Sequence, residues 1–222
     1  MNETAKTEGQ ILSETLTAKK ESIYEKQSGK IGEIFAYAEG YKYFLDAAKT
    51  EREATTELIR MAKENGFSEW SLGDPVKVGG AYYFNNRGKN LFLFRIGSEN
   101  INSDGVRIMA AHIDSPRLDL KQNPVYEDSG MCFFKTHYYG GIKKYQWTAI
   151  PLSLHGVVIL ANGEEVTVKV GEDEGDPIFY INDLLPHLAQ EQSSKPLGSA
   201  IPGEKLNLLV GGIPFAYPTR SN

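Results

Sequence analysis

The stretch "VRIMAAHIDSPRLDL", Val106 to Leu120, decides how this chain is expected to fold. The near-continuous apolarity of Val106 to Asp114 predicts a strand covered on both faces, as in the parallel sheets of α/β domains. Ser115-Pro116 then ends it, because proline lacks a backbone donor. Residues two apart in a strand project to the same face, so His112 and Asp114 are expected side by side at its C-terminal end, where open α/β sheets place their sites. Two readings of the pair stand open. A neutral imidazole is a good zinc ligand, and a nearby carboxylate either shares the metal or fixes the ring by accepting its second N–H. Equally, His112 is read as a strand-end histidine hydrogen-bonded to Asp114 or to backbone.

Upstream, residues 1–30 are polar and rich in Lys and Glu, with scattered apolar positions, which predicts a loosely packed helical lead-in. In "YAEGYKYFLDAAKTEREATTELIRMAKENGF" the aromatics Tyr37, Tyr41 and Phe44 suggest a packing stripe. Thr50 and Glu53 have the spacing of a capping box and predict a helix start near Glu51. Ala54, Leu58, Met61 and Ala62 then form one apolar face, and Asn65-Gly66 supplies a left-handed stop. The expectation is a helical hairpin packed on something else. From Ala81 the period changes: "AYYFNNRGKNLFLFRIG" reads as two β-rich runs joined at Asn85-Asn86-Arg87-Gly88. Helices followed by buried strands indicate an α/β core.

Beyond Pro116, "LDLKQNPVYEDSG", "MCFFKTHYYGGI", "YQWTAIPLSLHGVVIL" and "EEVTVKV" are short β-rich runs separated by Gly, Pro and Asn. They predict a β-rich unit beginning near Gln122, giving domains over 1–121 and 122–222. His137 is read either as a core or loop histidine or as a ligand-facing group, since its glycine-flanked loop is a common setting for binding residues. His155 and His187 read as structural, the latter in the possible helix "INDLLPHLAQEQ". Lys143-Lys144 reads as a solvated pair.

The chain's 222 residues and 41% hydrophobic content are enough for a buried core, and its formal charge of -5 comes with no basic stripe interleaved with aromatics. Nucleic acid is therefore not an expected partner. The sequence shows no secretion-signal zones and no apolar run near the ~20 residues of a membrane span, so no membrane partner and a cytoplasmic location are expected. A lone Cys132 provides neither an intrachain disulfide nor a cysteine zinc framework, which leaves metal binding to His and carboxylates. Phosphate-loop, dinucleotide-fingerprint, nucleophile-elbow and H-E-x-x-H patterns are all missing.

Taken together and in order, "FLDAAKTEREATTELIRMAKENGF", "NNRGKNLFLFRIG", "AAHIDSPRLDLKQNPVYE" and "HYYGGIKKYQWTAIPLSLHGVVI" resemble the aspartyl aminopeptidase / aminopeptidase I family of zinc exopeptidases. The resemblance implies a zinc-exopeptidase-like α/β core, interrupted by an inserted β-rich dimerisation domain, with both parts incomplete in this chain. It also implies hydrolysis of peptides from the N-terminus with two zinc ions in the complete enzyme, and a homo-oligomer built through the β-rich domain. His112 looks like the family's first zinc ligand and Asp114 like the acidic residue that orients it. His137 is a candidate for the histidine that the inserted domain contributes to a neighbouring subunit's site. The family's remaining ligands and general base have no counterpart in this sequence, so the expectation is a truncated chain that is inert alone. A non-catalytic oligomerisation fragment is the alternative.

Overall fold

The computed structural model describes residues 6–18 and 20–213. The chain divides into two compact units, Met1–Asp46 and Ala47–Asn222. The terminal "FAYPTRSN" lies outside the described residues.

In the first unit, the described part of residues 1–30 carries short, exposed helices, as the lead-in was expected to. Helix α1, Glu8–Leu16, starts at a capping box between Thr7 and Gln10, and α2, Ile23–Lys26, at one between Ser22 and Glu25. In both, each partner satisfies an otherwise unmade backbone donor of the other. Helix α3, Ile31–Ala47, has no buried residue. Tyr37 and Tyr41 are exposed rather than packed. Tyr37, Tyr41 and Phe44 do keep the i, i+4, i+7 spacing of one helix face, with Phe44 half-buried.

In the second unit, α4, Glu51–Glu64, begins at the expected capping box: Thr50 Oγ1 accepts from the Glu53 N–H, and the Glu53 carboxylate accepts from the Thr50 N–H. It ends in a Schellman motif. The Phe67 N–H donates to the Ala62 carbonyl (2.9 Å) and the Gly66 N–H to the Lys63 carbonyl (3.1 Å), with Gly66 left-handed at φ 78°. Its buried side includes Ala54 and Ala62, and the helix packs on the hairpin that follows. That hairpin belongs to a small sheet. β1, Ser68–Glu69, runs parallel to β2, Ala81–Asn86, which pairs antiparallel with β3, Asn90–Arg95. Arg87 and Gly88 both have positive φ, the handedness that matches the twist of a hairpin. Tyr83 is almost fully buried, and Trp70 sets its ring edge-on to Phe84 and Phe94.

A short α5, Ile101–Asp104, precedes the stretch that was expected to form the doubly covered strand. It does not: residues 105–116 have no regular structure, and Ile108 and Met109 are 81% and 99% exposed. A strand needs a neighbour to take its backbone donors and acceptors, and among the described residues none pairs with this segment.

The β-rich texture after Pro116 is observed. β4, Arg117–Asp128, and β5, Met131–Tyr139, form a hairpin, and the register shifts between Leu120 and Val125. Two further strands, β6, Leu154–Ile159, and β7, Glu165–Val170, make a separate antiparallel pair. The segment containing His187 is not a helix: α6, Gln190–Ser193, starts only after it, since the ring of Pro186 disfavours helical backbone before it. Helix α7, Leu197–Ala200, leads to β8, Leu208–Gly211, which joins the other edge of β5. The core of this part is Ile181, Ile201, Leu206 and Leu208, packed against Leu118, Phe134 and Trp147. Buried Thr136 donates its hydroxyl to the Leu206 carbonyl and ties β5 to the approach of β8.

Candidate functional site

His112 and Asp114 meet without a strand to align them. The imidazole Nδ1 lies 3.0 Å from the Asp114 carbonyl and 3.2 Å from Asp114 Oδ1. Both partners are acceptors, so the arrangement places the proton on Nδ1 and leaves Nε2 with its lone pair. The His112 side chain is 83% exposed, which leaves that nitrogen open to a ligand.

Asp114 is held from its other side. Tyr139, the last residue of β5, donates its hydroxyl to Asp114 Oδ2 at 2.5 Å. This hydrogen bond, then the backbone N–H of Asp114 and the His112 contact, keep the carboxyl below the ordinary range, while the same carboxylate pushes the Tyr139 phenol up. Arg117 sits over the Tyr139 ring, 4.3 Å from its centroid, in a cation–π contact. Its guanidinium bonds Asp119 (2.8 Å) and lies 3.5 Å from Glu51 in the first turn of α4. The β4–β5 register pairs Arg117 with Tyr139, which explains why the two side chains share one side of the ladder. Strand alternation alone connects Arg117 to Asp119. The link from Tyr139 to Asp114 spans 25 residues and has no periodic signal in the sequence.

His137 lies opposite Asp119 in the same ladder, exposed, with its ring stacked on Tyr138. Among the described residues, no group of three or more His, Cys, Asp or Glu side chains is gathered to hold a metal. The donor chemistry here fits one zinc ligand, His112 through Nε2, with Asp114 as its hydrogen-bonded support.

A second cluster surrounds His155, which is buried as a structural histidine should be. Its Nδ1 is 2.7 Å from Glu53, and its Nε2 is 2.9 Å from Ser153 Oγ and 3.2 Å from Glu172. Glu172 also pairs with Lys49 (2.7 Å) and Lys169 (3.2 Å). The hydrogen bond from Lys49, followed by that from Lys169, holds the Glu172 carboxyl down to about 2. The cap of α4 is thereby tied to the β6–β7 pair.

The chain is similar to known proteins. The family model described as aminopeptidase I zinc metalloprotease (M18) matches residues 44–210. An M18 family aminopeptidase 1 of Clostridium acetobutylicum is 48% identical over 199 residues, covering 87% of this chain and 43% of that protein. One from Thermotoga maritima is 44% identical over 186 residues, covering 83% of this chain and 40% of that protein. The crystal structure of the Thermotoga maritima M18-family aminopeptidase superposes with a TM-score of 0.81 at 39% identity, covering 92% of this chain and 44% of that one. The chain thus spans less than half the length of the relatives it matches, and within that span the family match, the relatives and the shared fold agree: it belongs to the M18 family of aminopeptidase I zinc metalloproteases.

Proposed function

We propose that these 222 residues are part of a zinc-dependent aminopeptidase that removes acidic or neutral residues from the N-termini of peptides. The observation that carries this reading is the His112 imidazole, fixed through Nδ1 by Asp114 and exposed at the other nitrogen. His112 is the zinc ligand, and Asp114 orients the ring and raises its basicity. When bound, zinc of this class polarises the scissile carbonyl and lowers the pKa of a bound water. The complete enzyme holds two ions, and the chain described contributes one ligand toward them. Catalytic zinc sites draw on about three protein ligands, so these residues alone are inert toward peptides. In this reading residues 1–121 belong to the peptidase domain and 122–222 to an inserted β-rich dimerisation domain through which the enzyme forms a cytoplasmic homo-oligomer. His137 faces a peptide at a neighbouring subunit's site.

Zinc retention of the purified chain tests the assignment. Expected is weak, substoichiometric zinc that is lost in His112→Ala, with no turnover of aminoacyl substrates in zinc, manganese or cobalt. Two tightly held zinc ions per chain, or metal-dependent turnover abolished by His112→Ala, would refute it.

A non-catalytic oligomerisation role is favoured by a different observation: β4 forms one edge of the β4-β5-β8 sheet, and such an edge offers unpaired backbone groups to another chain. Co-purification with an intact family member supports that role; a monomer at high concentration on size exclusion counts against it.

A further inference from the structure

We propose that Tyr139 is a positioning residue for His112, acting through Asp114. The inference rests on the reading of His112 as a metal ligand but is decided by a property of the metal-free chain. Among the described residues, 105–116 have no strand partners to fix their backbone, so the orientation of the imidazole depends on local contacts. The Asp114 carbonyl lies 3.0 Å from His112 Nδ1, and the Asp114 carboxylate adds a second acceptor to the same ring nitrogen only while its own rotation is restrained. Here Oδ1 faces His112 Nδ1, and Oδ2 is engaged by the Tyr139 hydroxyl at 2.5 Å.

Tyr139 is itself well anchored. It closes β5 in register with Arg117, whose guanidinium covers its ring at 4.3 Å and is held by Asp119 and Glu51. Gly140, with φ 77°, turns the chain immediately afterwards, and a left-handed residue there leaves the Tyr139 ring at the end of the ladder. The ordered β4–β5 hairpin thus transmits its rigidity to an irregular segment by one hydroxyl, one carboxylate and one imidazole. The outcome is a fixed tautomer: Nδ1 carries the proton, and Nε2 is free to bind a cation.

The test is Tyr139→Phe, which keeps the ring and its contact with Arg117 and removes only the hydroxyl. In the full 222-residue chain with 15N-labelled histidine, long-range proton–nitrogen correlation reads the His112 tautomer directly. The wild-type ring is expected in the Nδ1–H form. In Tyr139→Phe and in Asp114→Asn the Nε2–H form is expected to grow, while unchanged amide shifts along β4 and β5 show that the hairpin is intact. Zinc added to the same samples is expected to shift His112, with an apparent affinity lower by roughly three- to tenfold in Tyr139→Phe, at or below the usual effect of removing a residue that supports a metal ligand. A tautomer unchanged in Tyr139→Phe but altered in Asp114→Asn overturns the role of Tyr139. A wild-type ring already in the Nε2–H form overturns it too. Zinc that shifts other histidines and leaves His112 untouched instead refutes the metal-ligand reading, and the tautomer result still decides the role of Tyr139.

Discussion

Glu172→Gln is expected to destabilise the unit of residues 47–222 at neutral pH and to have no effect in strong acid. The Glu172 carboxylate accepts from Lys49 and Lys169 and faces the buried His155 imidazole, so its charged form is favoured by the fold. Its pKa falls from the ordinary 4.5 to about 2. At about 1.4 kcal/mol per tenfold, that drop has a ceiling of about 3 kcal/mol. Lys49 and Lys169 are 36% and 49% exposed, and solvent screening of such pairs reduces the figure to about 1–2 kcal/mol. Because the folded pKa is depressed, the contribution is fully present above pH 4.5 and is lost as the pH falls toward 2. Glutamine keeps the shape and cannot ionise. Both tryptophans, Trp70 and Trp147, lie within residues 47–222, so urea unfolding followed by their fluorescence reports this unit. The gap between wild type and variant should narrow steadily below pH 4.5, and added salt should reduce it at neutral pH. A gap that persists undiminished near pH 2, or none at neutral pH, would show that the Lys49–Glu172–Lys169 network is not what stabilises this region.

Two further substitutions probe the frame around the sites. Thr50→Ala removes the hydroxyl that accepts from the Glu53 N–H and donates to the Glu53 carboxylate, leaving only the backbone N–H bond to that carboxylate, so a loss of about 1 kcal/mol is expected in thermal or urea unfolding; no loss would mean that the capping box is not formed in solution. Thr136→Val keeps the shape of the buried side chain but leaves the Leu206 carbonyl without its donor, with an expected cost of about 1–3 kcal/mol and faster amide exchange in β8. Unchanged stability there would show that the carbonyl finds another partner.

Local chemistry was legible before the structure. The box at Thr50 and Glu53, the stop at Asn65-Gly66 and the turn at Arg87-Gly88 are each decided within a few residues, by backbone donors that need a partner and by φ values that glycine allows. The strands β4 to β7 were legible for the same reason, since alternation and turn residues are local signals. The segment from Val106 to Asp114 was not. Its apolarity is that of a buried strand, yet strand formation is a property of pairs, and among the described residues its partner is missing. The candidate site divides along the same line. His112 and Asp114 are two residues apart, so the sequence itself makes them neighbours, while the hydroxyl of Tyr139 and the guanidinium of Arg117 reach them only because the β4–β5 register brings the end of one strand to the start of the other. Likewise His155 reads as an ordinary strand histidine, and only tertiary packing sets it between Glu53 and Glu172, because electrostatic partners are chosen by distance in space and sequence separation carries no record of it.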